Sequence, residues 1–399
     1  MKKKYNSLLI IRKSSAEIDW ILPVLNEMKK NTNFYTLFTN EKAYKSLENS
    51  SFLFNNWNKI SKDFYVQKKT DKIIYKALRK AISFSSKSKL KKIINNKIHN
   101  INYLKRKLNL NKNQKFDFIL NEFQKTSHWA NMIIKNNYKT KLFLFPHTTH
   151  IYKYDKNRTK EILKNKLIKY CDGLFLGSKE DTKIWKNRLD NNKIHVTGHP
   201  KYDYGWQRNF FEKIKNKKKK IVFAVKDIID DSSKELTNKY LNILYKICEK
   251  NNYLLVIKLP PYPQNELSDI MNKIKERFNS QIFWITNKNI FTILNKSNLL
   301  ININLSATSL DALSFGLPVI QLPVINKKKG KFGNNDSIYT KLKLVTKVSN
   351  INKLESAIKQ LLKNKSNYKN NLKKNFLKYF PKYKNSSKKI SKIILNQIN

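Results

Sequence analysis

The chain has 399 residues, and its 82 Lys and Arg against 28 Asp and Glu give a formal net charge of +54. This length predicts two domains, and a hydrophobic fraction of 40% excludes a wholly disordered chain. No apolar run reaches the roughly 18 residues of a membrane-spanning helix, and the apolar stretch 8–11 is too short for a secretory signal. We therefore expect a cytoplasmic protein with two reduced cysteines, and leave association with the inner face of the cytoplasmic membrane open.

The positive charge comes almost entirely from lysine, because only 7 of the 82 basic residues are Arg. Proteins that read nucleic acids rely on Arg for bidentate contacts to bases and phosphates. Nucleic acid is therefore not expected as the main partner. An anionic membrane surface or an anionic substrate fits a lysine-rich face equally well.

In the first half of the chain, short apolar runs alternate with segments of helical period. The runs predict strands at 7–12, 34–38, 116–120, 141–145, 173–176 and 194–197. A helix is predicted to start at Ser14-Ser15-Ala16-Glu17, with the hydroxyls as caps, and further helices at 125–135 and 179–188. Such alternation predicts a parallel sheet covered by helices on both faces.

The second half repeats this pattern. Strands are predicted at 220–225, 253–258, 282–285, 299–303 and 318–322, and helices at 233–250, 265–278, 291–296 and 310–315. We place the linker near residues 204–217 and predict two lobes, 1–205 and 206–399.

Two basic segments depart from the alternation. Residues 57–115 hold 18 Lys and Arg against 2 Asp and are predicted to be a helical insertion in the first lobe. Residues 352–399 hold 13 Lys and one Glu and are predicted to be a basic helical tail of the second lobe. Both are read either as solvated helix faces or as surfaces that dock onto anionic lipid.

Ligands of parallel α/β sheets bind beyond the carboxyl ends of the strands, so the loops there are the candidate sites. Pro146-His147-Thr148-Thr149-His150 follows one strand, and His147 is our candidate general base, with His150 as the alternative. A metal site is not expected, because no acidic residue or cysteine lies at ligand spacing from these histidines.

A hydroxyl cluster follows the strand at 299–303 and opens a helix. Backbone N–H groups at that helix start, with Ser306, Thr308 and Ser309, are predicted to bind phosphate. Asp311, predicted in the first helical turn, is a candidate for ribose hydroxyls. Lys258, at the end of another strand, is a candidate point charge for phosphate.

These residues resemble the GT-B class of nucleotide-sugar glycosyltransferases, and within it the capsule and surface-polysaccharide branch. That branch lies near CDP-glycerol glycerophosphotransferases, Kdo-type capsule transferases and UDP-GlcNAc 2-epimerase-like proteins. Three stretches between about 115 and 325 carry the resemblance: 306–320 with Gly316-Leu317-Pro318-Val319-Ile320, Gly177-Ser178 with 196–203, and Pro146-His147-Thr148.

The resemblance implies an α/β GT-B-like fold with two Rossmann-like parallel-sheet lobes facing a central cleft, the first binding acceptor and the second the nucleotide donor. It implies a metal-independent glycosyltransferase that moves a sugar or polyol phosphate from a nucleotide-activated donor to a surface polysaccharide or glycolipid. The nucleotide sugar is a substrate, and no cofactor is expected. Acceptor-side candidates are Ser14, Ser15 and Glu17.

Two alternatives stay open. A 2-epimerase of nucleotide sugars needs carboxylates around the sugar ring for proton transfer, with Glu122, Asp172 and Asp227 as candidates. The other is a non-catalytic basic protein that binds membranes or nucleic acid, recognisable by strongly salt-dependent binding.

Overall fold

The computed structural model describes most of the chain. The described residues are 4–12, 14–68, 104–105, 107–109, 115–124, 131, 133–134, 139–146, 151, 153, 156–211, 218–225, 231–260, 265–303, 306–323, 337–364, 370, 374–381 and 385–399. They form two compact units: Met1–Asp203 with Pro381–Asn399, and Tyr204–Phe380.

The first unit contains a seven-stranded parallel sheet in the order β3-β2-β1-β4-β5-β6-β7. Its strands are β1 (Tyr5–Ile11), β2 (Thr32–Phe38), β3 (Ser61–Val66), β4 (Phe118–Glu122), β5 (Lys141–Phe145), β6 (Gly173–Leu176) and β7 (Ile194–Val196). The central strands are buried apolar runs, as expected for a sheet covered on both faces.

Helices α1 (Ser15–Met28), α2 (Glu41–Glu48), α3 (Ser51–Asn58), α4 (Lys156–Leu163) and α5 (Thr182–Trp185) belong to this unit. Ser14 caps α1 by accepting from the Ala16 amide, as predicted. Short 3-10 turns at 166–170, 179–181, 191–193 and 200–202 connect later elements. The predicted helix at 179–188 is thus a 3-10 turn followed by the short α5. The predicted helix at 125–135 lies largely outside the described residues.

The second unit contains a six-stranded parallel sheet in the order β10-β9-β8-β11-β12-β13. Its strands are β8 (Lys220–Ala224), β9 (Leu254–Lys258), β10 (Phe283–Thr286), β11 (Leu299–Ile303), β12 (Val319–Leu322) and β13 (Thr346–Lys347). Its helices are α6 (Tyr204–Gln207), α7 (Asp231–Lys250), α8 (Asn265–Arg277), α9 (Ile290–Leu294), α10 (Ala307–Ser314), α11 (Ile338–Lys341) and α12 (Leu354–Lys363). One sheet face packs on α7, α8 and α12 in an extensive apolar core.

The structure differs from the prediction for the two basic segments. Residues 61–66, predicted to be helical, form strand β3, because Phe64 and its neighbours pair with β2 at the sheet edge. The chain beyond 380 was predicted to belong to the second lobe, but helix α13 (Ser386–Ile398) belongs to the first unit. Its buried Ile390 and Ile394 provide the apolar face that packs there, and α13 lies against α1. Residues 69–103 of the predicted insertion lie outside the described residues.

Candidate functional site

The second sheet changes from apolar to polar near the carboxyl ends of its strands. Positions paired across five strands form an apolar row, and the next row on the same face is polar. The apolar row is Trp284, Val256, Val222, Leu300 and Val319. The next row, which we call the polar row because all its members except Ala224 are polar, is Thr286, Lys258, Ala224, Asn302 and Gln321. Every member of the polar row is buried. Burial of polar groups is unfavourable without partners, so this row marks a candidate binding edge.

Lys258 is a buried cation in this row, with 8% of its surface exposed. Its Nζ donates to the Leu259 carbonyl. In the described part of the chain, no carboxylate lies within ion-pair distance of Lys258. Burial lowers the pKa of the ammonium from its ordinary 10.5 to about 8. An anionic ligand group would restore the balance of charge at this position.

Asn302 joins strand β11 to helix α10. Its Nδ2 donates to the Ser309 hydroxyl over 2.6 Å, and both side chains are fully buried. Asn302 Oδ1 is a buried acceptor for which the described residues provide no donor. The Ser309 hydroxyl, predicted to bind phosphate, is therefore engaged by Asn302.

Helix α10 begins at the predicted hydroxyl cluster. Ser306 is its N-cap and accepts from the Thr308 amide at 3.3 Å, and the two hydroxyls lie 2.8 Å apart. Both residues are only partly buried. The helix start thus places two partly exposed hydroxyls at the positive end of the helix dipole, which suits an anion.

Asp311 is not in the first turn of α10, where the prediction placed it. The helix starts at Ala307 and its first turn contains no acidic residue, so Asp311 lies in the second turn. Its side chain is 3% exposed. Contact between Asp311 and a ribose stays a prediction.

Two glutamates meet one arginine at the carboxyl edge of the first sheet. The Arg12 amide donates to Glu17 Oε2 at 2.7 Å, and Arg12 Nε lies 3.2 Å from Glu122 Oε2. Both glutamates are buried, whereas the Arg12 side chain is 17% exposed. Arg12 follows β1 and Glu122 ends the adjacent β4, so the parallel register brings them together. Sequence reasoning missed Arg12, although its place directly after a strand was the available signal.

The other acceptor-side and carboxylate candidates have different surroundings. The Ser15 hydroxyl lies 3.1 Å from the Ser46 hydroxyl and is buried. Asp172 accepts from the Leu142 amide and from Lys141, at the amino ends of the strands, and so lies at the opposite edge from Glu122. Asp227 lies outside the described residues, as do His147 and His150.

The stretch 196–203 has an internal structural role. Gly177 lies so close to the His199 ring that a Cβ atom there would overlap the imidazole. The indole of Trp20 donates to His199 Nδ1 at 2.8 Å and stacks on Phe145 at 5.5 Å. Complete burial lowers the pKa of His199 to about 3, so the ring is neutral and accepts from the indole.

The end of the same stretch attaches the C-terminal helix. Lys201 forms a mostly buried ion pair of 2.9 Å with Asp19 of α1. The Asp203 carboxylate accepts from the amides of Ser386 and Ser387 and from the Ser387 hydroxyl. Asp203 thereby binds the N-terminus of α13, which explains its position at the end of the motif.

No group of three or more His, Cys, Asp or Glu is placed to hold a metal ion in the described ranges. Across those same ranges, no helix combines the length and apolar character needed to span a membrane.

Comparison with known proteins identifies the fold. No protein-family model and no curated protein matches the chain. Among solved structures, it is similar to S. aureus MnaA with UDP, with a TM-score of 0.63 at 14% identity over 98% of this chain and 97% of that one. The UDP-GlcNAc 2-epimerase of Neisseria meningitidis bound to UDP-GlcNAc has a TM-score of 0.61 at 13% identity, over 98% and 100% of the two chains. The glycotransferase of kitacinnamycin has a TM-score of 0.59 at 8% identity, with full coverage of both.

These likenesses and the two parallel sheets confirm the predicted α/β fold class, a GT-B-type fold of two Rossmann-like units. At such low identities the comparisons show the fold alone.

Proposed function

We propose that the chain is an enzyme that binds a nucleotide-activated sugar and epimerises the sugar, in the manner of a nucleotide-sugar 2-epimerase. The observation that carries this proposal is that Glu17 and Glu122 both contact Arg12 at the carboxyl edge of the first sheet. Glu17 accepts from the Arg12 amide, and Glu122 forms an ion pair with its guanidinium. The sequence alone left this alternative without an obvious carboxylate set. The structural likeness to UDP-GlcNAc 2-epimerases supports it at the level of fold.

The second unit would bind the phosphates of the nucleotide. The start of α10 offers N–H groups and the hydroxyls of Ser306 and Thr308, and Lys258 is the buried cation at the same sheet edge. These groups stabilise negative charge on a diphosphate by hydrogen bonds and by the helix dipole.

The first unit would supply the proton-transfer groups. Epimerisation next to the anomeric carbon removes the C2 proton, while its electron pair forms a C1–C2 double bond and the nucleotide diphosphate leaves from C1. Return of a proton to the opposite face of C2 and of the diphosphate to C1 restores every bond, so no atom is gained or lost. A carboxylate accepts the proton and a carboxylic acid returns one. The ion pair between Arg12 Nε and Glu122 Oε2 holds the Glu122 carboxylate in place at this sheet edge.

A glycosyltransferase is the second candidate. It is favoured by the resemblance of the stretch 306–320 to donor sites of that class, and Ser306 caps the helix in this stretch. The likeness to the glycotransferase of kitacinnamycin is compatible with it. In this reaction the sugar leaves the nucleotide for an acceptor and its C–H bonds stay intact.

Proton exchange separates the two candidates. The purified chain is incubated with UDP-GlcNAc in D₂O and the signal of the sugar C2 proton is followed by NMR. Epimerisation predicts loss of that signal as solvent deuterium enters, with a fall of about 10²-fold or more in Glu122→Gln. Asp172→Asn, which changes a carboxylate at the opposite sheet edge, is the matched control and should keep the wild-type rate.

Binding of UDP-GlcNAc without deuterium exchange would contradict the epimerase proposal. Acceptor-dependent release of UDP in the same sample would then establish the glycosyltransferase.

A further inference from the structure

We propose that Asn302 forms a hydrogen bond with a hydroxyl group of the bound ligand. This hydroxyl lies next to a phosphate held by Lys258, and Ala224 lies between Lys258 and Asn302 at the base of the site. The inference rests on the proposed binding of a nucleotide sugar and adds a specificity-determining residue to it. The ligand it implies carries a phosphate and a neighbouring sugar hydroxyl.

The sheet register places the three residues side by side. Ala224 of the central strand β8 pairs with Lys258 of β9 on one side and with Asn302 of β11 on the other. Residues paired across a parallel sheet point to the same face. The long ammonium side chain and the amide therefore flank the smallest side chain of the row, at the ligand-binding edge of the sheet.

Asn302 has one polar atom without a partner. It is 1% exposed, its Nδ2 is used by Ser309, and its Oδ1 has no hydrogen-bond partner among the described residues. Rotation of the amide by 180° would give Oδ1 to the Ser309 hydroxyl and leave Nδ2 unused, so one atom stays available in either orientation. A hydroxyl can donate to the oxygen or accept from the nitrogen, and so satisfies both cases.

Gln321, the next residue in the row, shows the contrast. It is an equally buried amide, but its Oε1 accepts from the hydroxyls of Ser337 and Thr340 at the start of α11. Gln321 is therefore satisfied within the fold. Asn302, one strand nearer the centre, retains a polar atom for a ligand.

The test compares ligands with and without a hydroxyl by calorimetry. The probes are UDP, which carries ribose hydroxyls, and inorganic pyrophosphate, which carries none. We expect Asn302→Leu to weaken UDP binding about tenfold or more and to change pyrophosphate binding less than about twofold. Gln321→Leu removes a buried amide from the same row and should leave the ratio of the two affinities unchanged. An equal loss for both probes in Asn302→Leu, or no loss for either, would overturn the proposal.

Two further measurements distinguish failure of this proposal from failure of the proposed function and from failure of the Asn302→Leu variant to fold. If UDP and UDP-GlcNAc do not bind the wild-type chain, the proposed function fails, and ribose 5-phosphate is then compared with inorganic phosphate. A preference for ribose 5-phosphate that Asn302→Leu removes supports the subsite, and equal or absent binding overturns it.

If Asn302→Leu does not fold, Ala224→Val is the second variant. It adds two methyl groups between Lys258 and Asn302 and changes no polar group. It should weaken UDP and pyrophosphate together by about tenfold or more, and unchanged binding overturns the proposal.

Discussion

Asn302, one residue before the end of strand β11, donates a 2.6 Å hydrogen bond to Ser309 in the first turn of α10. Both residues are fully buried, so the start of the helix is attached to the strand that precedes it. A helix N-terminus fixed in this way presents its hydroxyls and the positive end of its dipole with little loss of conformational freedom when an anion binds. The polar row that includes Asn302 therefore contributes to both the fold and the candidate site.

Replacement of Lys258 should stabilise the unliganded chain. The folded-state pKa of about 8 lies below the ordinary 10.5, so at pH 7 the fold holds a charged amine where burial disfavours it. We expect Lys258→Met to raise the free energy of unfolding at pH 7 by roughly 1–3 kcal/mol, measured by urea denaturation. Lys273→Met, on an exposed position of α8, is the control and should change it by less than about 0.5 kcal/mol. If Lys258→Met is less stable than the wild type, other groups of the unliganded fold already offset the cost of burying the Lys258 charge.

Binding of a phosphate ligand should weaken as pH rises through the pKa of Lys258. Below pH 8 the side chain is an ammonium and pairs with the anion, and above pH 8 it is neutral. The second ionisation of a phosphate ester, near pH 6, is complete throughout the range used. We expect UDP to bind about tenfold more weakly at pH 9.5 than at pH 7.5, measured by calorimetry. Lys258→Met should bind weakly and equally at both values. An unchanged wild-type affinity would exclude Lys258 from the phosphate site.

A methyl group at residue 177 should disrupt the packing around His199. The Cβ of Gly177→Ala would overlap the imidazole, which accepts from Trp20. We expect a loss of about 1–3 kcal/mol in unfolding free energy, with a change in tryptophan fluorescence. Gly205→Ala adds the same methyl group in open space on helix α6 and should not destabilise the chain. Equal effects of the two variants would contradict the described packing.

Removal of the Asp203 carboxylate should release the C-terminal helix. Asp203→Ala leaves two α13 amides and one hydroxyl without their acceptor, which should cost about 2–4 kcal/mol. The measurement is hydrogen exchange over residues 386–398, where protection should fall more than elsewhere in the first unit. Asp190→Ala removes a carboxylate that is 77% exposed and should leave this protection unchanged. If residues 386–398 of Asp203→Ala exchange as slowly as in the wild type, apolar burial alone holds α13 in place.

The sequence predicted the fold where strands are continuous apolar runs. Strands such as 141–145 and 299–303 lie where the runs placed them, because a parallel sheet buried on both faces requires such runs. The edge strand β3 was missed because its half-buried sequence begins with polar and charged residues and has no such run. The return of α13 to the first unit depends on Asp203, about 180 residues earlier, and no local pattern reports that contact.

The candidate site was predictable in part. A Ser/Thr cluster after a strand indicated the start of α10, with Ser306 as its cap. The roles of Arg12 and Asn302 depend on register between strands distant in sequence, which composition and spacing do not contain. The base His147, the polysaccharide or glycolipid acceptor and the anionic membrane surface stay predictions.

We propose that the second unit binds the nucleotide of an activated sugar. The most direct test is the melting temperature of the purified chain with UDP, CMP, CDP, GDP and their sugar conjugates, with Ser306→Ala/Thr308→Ala as the comparison. A ligand that binds only the folded chain raises the melting temperature. We expect the melting temperature of the wild type to rise with UDP and UDP-GlcNAc, and this rise to be lost in the double variant. A well-folded chain whose melting temperature changes with none of these nucleotides would contradict nucleotide binding and favour the non-catalytic basic binding protein.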